Sequence, residues 1–148
     1  MNVNDFVSLS EFLLGIPFQS PLPNITDLDP DLAQFYLNLL NQYGSYVPSK
    51  KTLDDLASTW DGIQSQPSTQ WPTLVEQQVF SNPDLNAWAQ QIIFVWYTGS
   101  MWVPGLPSGN PNTDRDPGNY ERTLVWVLAQ AHPMGVPLSF GYWQYPPS

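Results

Sequence analysis

Sixteen prolines interrupt this chain of 148 residues, and they limit what it can fold into. Proline breaks the interior of a helix and is confined to the edges of a sheet. Helical spacing of apolar residues recurs between the prolines, and the only candidate strand, residues 136–140, contains Pro137. The sequence therefore predicts one all-α domain over residues 1–148, an irregular bundle of five or six short helices with long proline-rich loops.

Apolar periodicity and capping residues place the helices. The predicted segments are residues 4–14, 30–43, 53–63, 73–80, 83–98 and 119–131. Thr52 with Asp55 and Asn82 with Pro83 are typical N-terminal capping sequences. Asp29 before Pro30 is likewise predicted to cap the second helix. The fifth helix is apolar almost all round in its second half, so we expect it to be central.

In the second helix, apolar residues recur at spacings of three and four. They are Leu32, Phe35, Tyr36, Leu39, Leu40 and Tyr43.

Two segments near the end of the chain are predicted to be non-helical. Residues 101–118 alternate proline and glycine and form a long loop, a length that is usually functional or mobile. Residues 134–148 place prolines around four aromatic residues and form an extended aromatic C-terminal arm. Such an arm can lie against an apolar surface.

The charge balance excludes several partners. Four basic residues face thirteen acidic ones, for a formal net charge of -9. Nucleic-acid binding needs clustered cations, so neither nucleic acid nor an anionic membrane surface is an expected partner. The Lys50-Lys51 pair fits a solvated helix start better than an anion site. The longest apolar run is far short of the ~20 residues of a transmembrane helix, so no membrane insertion is expected.

Composition adds two interpretations of the surface. Only 11% of residues are charged, whereas 14% are aromatic, including seven tryptophans. One interpretation is a tryptophan-rich core with a Gln, Asn and Ser exterior. The other is that a second chain covers apolar surface, because interfaces are enriched in aromatic residues and depleted in Lys and Glu.

Catalytic, cofactor and metal sites are not predicted in this chain. It has no cysteine and one histidine, which excludes thiolate chemistry and a multi-histidine zinc site. Glycine-rich nucleotide-binding motifs do not occur. Residues 112–118 resemble the start of a calcium loop. An EF-hand has Gly at position six and Glu at position twelve, whereas here Gly118 is at position seven and Thr123 at position twelve.

The aromatic clusters are the candidate partner-binding residues. Some flank the long loop and others lie in the arm, where large rings give buried area at low entropic cost. The candidates are Trp96, Tyr97, Trp102, Tyr120, Trp126, Phe140, Tyr142, Trp143 and Tyr145.

An ordered set of short motifs carries a family resemblance. They are FLLG at 12–15, LDPDLAQFY at 28–36, WYTG at 96–99, YERTLVW at 120–126 and WQYPP at 143–147. In their order and spacing they resemble the small (gamma) subunits of bacterial FAD-dependent sorbitol, fructose and glucose dehydrogenase complexes. The resemblance covers nearly the whole chain, although residues 46–81 contribute little to it.

The resemblance implies a non-catalytic accessory subunit. FAD and the catalytic base would lie in a large flavoprotein dehydrogenase of the glucose-methanol-choline type, which the small subunit binds and helps to mature. The family commonly carries a twin-arginine export signal, and this sequence contains no Arg-Arg pair. We therefore expect a cytoplasmic protein, or a periplasmic one if the partner carries the signal. Without cysteine, no disulfide can join the two subunits.

Two alternatives remain open at this point. One is a stand-alone enzyme that reuses the bundle, with a pocket near His132 and the loop 112–120. The other is a structural protein that forms homodimers through its aromatic arm.

Overall fold

The computed structural model describes residues 1–15 and 30–101, which contain five α-helices and no β-strand. The helices are α1 Val3–Leu14, α2 Pro30–Tyr43, α3 Leu53–Gln64, α4 Trp71–Val75 and α5 Pro83–Thr98. Short 3-10 turns occupy Gly44–Tyr46 and Ser68–Gln70, and a π-helix, Glu76–Phe80, continues α4. The all-α prediction is confirmed. The predicted cap Asp29, the helix at 119–131, the long loop beyond residue 101 and the arm lie outside the described residues.

The helix ends follow from local capping chemistry. Thr52 and Asp55 form a reciprocal capping box at the start of α3. The side chain of Asn82 accepts hydrogen bonds from the backbone N–H groups of the first turn of α5. Gly15 and Gly99 end α1 and α5 with φ values of 65° and 72°, which glycine adopts without strain.

The fourth helical segment differs from its prediction over residues 73–80. It begins at Trp71 and changes to a π-helix at Glu76. Both the backbone N–H and the hydroxyl of Ser81 donate to the Glu76 carbonyl oxygen, at 3.0 and 2.8 Å. This double donation closes a five-residue turn instead of a four-residue one. Apolar periodicity does not predict it, because Ser81 lies beyond the apolar segment.

The core forms around α5, as predicted. This helix contacts α1, α2, α3 and the π-helix. Trp96 on α5 is fully buried, and its ring stacks on Phe6 at 6.1 Å between centroids. A second aromatic cluster joins α1, α3 and α4 through Phe12, Trp60 and Trp71. Each helix is thereby packed by aromatic rings as well as by aliphatic side chains.

The tryptophans of the described residues are mostly core residues. Trp60, Trp88 and Trp96 are buried, and Trp71 is half-buried. The interpretation of a tryptophan-rich core therefore holds for this part of the chain.

One residue of the predicted α2 stripe does not face the core. Phe35 is 40% exposed, whereas Ala33 and Leu37 are buried. Successive residues of an α-helix are rotated by about 100°, and the buried face is centred near Tyr36 and Leu40. Phe35 therefore lies at the edge of that face and reaches solvent.

Among the described residues, no helix is both long and apolar enough to cross a membrane.

Candidate partner-binding surface

Trp96, one of the nine predicted partner-binding residues, lies in the core. Its exposed fraction is 0%, and Phe6 and Tyr36 pack on its ring. The position on α5 explains this, because the second half of the helix is enclosed by its neighbours. The chain itself covers this indole, so the ring is not available to a second chain.

Tyr97, the next residue, is half-buried and packs against the edge of the core. The other seven candidates lie outside the described residues, as do His132 and the loop 112–120. These seven candidates are Trp102, Tyr120, Trp126, Phe140, Tyr142, Trp143 and Tyr145.

The structure shows an exposed surface on α2 that carries no charged side chain. Residues 32–49 contain no Asp, Glu, Lys, Arg or His. Their exposed members on α2 and the turn after it define the uncharged α2 face, which consists of Gln34, Phe35, Asn38, Asn41, Gln42, Ser45 and Tyr46. Phe35 and Tyr46 are 40% and 39% exposed, so two large rings meet solvent on this face.

The polar side chains of the uncharged α2 face are held by local hydrogen bonds. The Gln34 amide donates to Asn38 Oδ1 at 2.9 Å, one helical turn away. The Gln42 amide donates to the Tyr43 hydroxyl at 3.0 Å. Gln34, Asn38 and Gln42 thus satisfy part of their hydrogen-bonding capacity within the chain.

The segment that follows α2 is fastened to α5. Lys50 N–H donates to Asp84 Oδ1 at 2.8 Å, and the Trp88 indole N–H donates to the Lys51 carbonyl oxygen at 2.9 Å. Gly44 lies against the same indole, and a Cβ there would be 2.8 Å from Trp88 Cη2. The tight approach requires glycine at this position.

An open cleft of about 360 Å³ lies between this segment, the end of α2 and the start of α3. We call it the lysine cleft. Its apolar lining is Leu40, Val47, Leu53 and Trp88, and its polar lining is Asn41, Ser45, Ser49, Lys50, Lys51, Thr52 and Asp54. Asn41 also belongs to the uncharged α2 face, so the two surfaces are continuous.

A second, more open cleft of about 680 Å³ lies beside the start of α5. Thr59, Gln77, Gln78 and Asn82 line it together with Lys51. Its side chains are largely polar and exposed, and they can bind water or other polar groups.

Two titratable groups of the described residues have shifted pKa values. Hydrogen bonds from the Thr52 backbone N–H and hydroxyl lower the pKa of Asp55, and the nearby Lys51 charge adds a smaller effect. Burial raises the pKa of Tyr36. Neither group lies among acids and bases arranged for proton transfer. The described residues also contain no group of three His, Cys, Asp or Glu side chains that could hold a metal ion.

The uncharged α2 face and the lysine cleft were not among the predicted sites. The eighteen residues without charge, 32–49, are visible in the sequence and mark the face. Most of the cleft lining lies within residues 40–54, but the packing of Trp88 from α5 against this segment is not visible in the sequence.

Compared with protein-family models, curated proteins and solved structures, this chain matches none of them.

Proposed function

We propose that this chain is a non-catalytic small subunit. It binds a large FAD-dependent sugar or alcohol dehydrogenase of the glucose-methanol-choline type and supports the folding of that partner. The flavin and the catalytic residues belong to the partner in this proposal. The observation that carries it is the uncharged α2 face.

The composition of this face is that of a protein interface. The buried centre of an interface is depleted of charged residues and enriched in aromatic ones. Phe35 and Tyr46 supply exposed rings, and amide side chains surround them without charge. Covering apolar area yields roughly 25 cal/mol per Å², and no ion has to be desolvated on this side of the contact.

The partner class comes from the order of the sequence motifs. In the structure, two of these motifs are helix C-termini. FLLG at 12–15 and WYTG at 96–99 each end on a glycine with positive φ. These positions have structural roles, so the case for a flavoprotein partner depends on the whole ordered set rather than on any one motif. The loop 101–118 and the arm 134–148 remain predicted contacts.

The direct test is co-expression with a large flavoprotein encoded beside the gene for this chain. A tag on one subunit should recover both, with flavin absorbance in the same fraction. Two proteins that are each soluble and never elute together would rule out the proposal.

A matched pair of variants tests the uncharged α2 face. Phe35→Asp places a charge in the centre of the face. Phe80→Asp is the control, because Phe80 lies outside the face and is 38% exposed, close to the 40% of Phe35. We expect Phe35→Asp to weaken association by at least tenfold, and Phe80→Asp to change it by less than about twofold. Equal effects of the two variants would contradict the assignment of this face.

A further inference from the structure

Lys50 and Lys51 are the only Lys or Arg residues in the described part of the chain, and both line the lysine cleft. Both are exposed. In the described residues neither ammonium group forms an ion pair. The described residues therefore place two exposed cations beside one cleft.

The neighbouring acids are already bound to other donors. Asp84 accepts the Lys50 backbone N–H, and Asp55 accepts the N–H and the hydroxyl of Thr52. Asp54, which lines the cleft, forms an ion pair with the amino group of Met1. These carboxylates hold the backbone and the helix start. The Lys51 charge also lowers the pKa of Asp55, although no carboxylate of the described residues forms an ion pair with either ammonium group.

The backbone that carries the lysines is also fixed. Lys51 N–H donates to Ser49 Oγ at 3.0 Å, and the Lys51 carbonyl oxygen accepts from the Trp88 indole. The stems of both lysines therefore start from a constrained segment. The apolar lining, including the Trp88 ring, lies within the same cleft. This arrangement suits a ligand that has an apolar group beside a carboxylate.

We propose that the lysine cleft binds an extended acidic segment of the partner subunit. An apolar side chain of that segment packs over Trp88, and an adjacent Asp or Glu carboxylate pairs with Lys50 and Lys51. This inference rests on the proposed function and adds the chemistry of the contact. The cleft is continuous with the uncharged α2 face through Asn41, so one partner can cover both.

Charge complementarity selects this occupant. A chain of formal charge -9 repels an acidic segment over most of its surface. At physiological ionic strength this repulsion is screened beyond about 8 Å, whereas contact with two ammonium groups is not. Among the described residues, an acidic segment is therefore directed to the lysine cleft, and complementary charges fix its register.

The main experiment compares two double variants with the same formal charge. Lys50→Ala with Lys51→Ala removes both cations from the cleft. Ser68→Glu with Gln70→Glu adds two negative charges at exposed positions that line neither cleft. Each pair lowers the net charge by two. We expect the lysine pair to weaken association with the flavoprotein roughly tenfold at 150 mM salt, and the control pair to change it by less than about twofold. Equal effects would overturn the inference.

Measurements on the isolated chain distinguish a partner segment from other possible occupants of the lysine cleft. The hydrogen bonds at residues 50 and 51 use backbone atoms, so Lys50→Ala with Lys51→Ala should keep its helical content and its denaturation midpoint. A clearly lowered midpoint would place this chain's own acidic residues in the cleft and overturn the inference. A loss of dimer in sedimentation, again without a partner, would assign the cleft to a second copy and overturn it equally.

A peptide probe distinguishes failure of the inference from failure of the proposed function. The probe is an acetylated and amidated Leu-Asp-Glu-Leu peptide, and its control is Leu-Asn-Gln-Leu. Saturable NMR shifts at Lys50, Lys51 and the Trp88 indole with the acidic peptide alone would support the cleft even if no flavoprotein co-elutes. If the flavoprotein binds while neither the probe nor the lysine pair has an effect, the cleft assignment fails alone.

Discussion

The rings of Tyr36 and Trp96 meet edge to face in the core, with centroids 4.8 Å apart and planes at 84°. Aromatic pairs favour this arrangement. It joins α2 to α5, and it leaves the Tyr36 hydroxyl buried without a hydrogen-bond partner among the described residues. A buried hydroxyl without a partner loses its hydration, which lowers the stability of the fold.

Tyr36→Phe should therefore stabilise the protein. The substitution keeps the ring contact with Trp96 and removes only the hydroxyl, so we expect a gain of about 1 kcal/mol in the free energy of unfolding. Chemical denaturation measures it. Tyr43→Phe is the control, because that half-buried hydroxyl accepts a hydrogen bond from Gln42, and the expected change is within about 0.5 kcal/mol. A loss of stability in Tyr36→Phe would mean that the hydroxyl has a partner.

Gly44→Ala should destabilise the protein. The new Cβ would lie 2.8 Å from Trp88 Cη2, and the Trp88 ring is held by its hydrogen bond to the Lys51 carbonyl oxygen. Overpacking of this kind costs about 1–3 kcal/mol. Gly62→Ala, inside α3, meets nothing within 4 Å and should instead gain about 0.5–1 kcal/mol. Thermal unfolding of both variants tests the pair, and a neutral Gly44→Ala would show that the Trp88 ring can move.

Asp55 should make stability depend on pH in the acid range. Its pKa is lowered in the folded state, mainly by the Thr52 backbone N–H, so its contribution is present above the unfolded pKa near 3.9. That contribution is lost as the pH falls through the folded-state pKa. Stability measured between pH 6 and pH 2.5 should fall less steeply in Asp55→Asn than in the wild type. Parallel curves would contradict the role of the capping box.

Deleting residues 138–148 should weaken association with the flavoprotein and leave helical content nearly unchanged. Helices α1 to α5 all end before residue 101. Far-UV circular dichroism measures the helical content, which should stay constant. Co-purification with the flavoprotein measures the association, which should weaken. A large loss of helix signal would show that the bundle requires the arm.

Helix positions were predictable because their determinants are local. The capping box of Thr52 and Asp55, the Asn82 cap and the terminal glycines act within a few residues. Their geometry therefore follows from residue type and spacing. The π-helix was missed because Ser81, which closes it, lies outside the periodic segment that it alters.

The exposed side of α2 was only partly predictable. The sequence contains the run without charge, but it also places Phe35 in the apolar stripe. Which edge of that stripe reaches solvent depends on where α1 and α5 pack. The burial of Trp96 has the same origin, because its enclosure by Phe6 and Tyr36 comes from two other helices.

The sequence by itself determined the fold class, the boundaries of α1, α2, α3 and α5 to within one residue, the central position of α5 and the scarcity of charge. Only the tertiary structure decided that Lys50 and Lys51 border a cleft. Asp84 and Trp88, which fasten their backbone, lie 34 and 37 residues further along the chain. Contacts over such separations depend on how whole helices pack, and no local pattern of residue types encodes that packing.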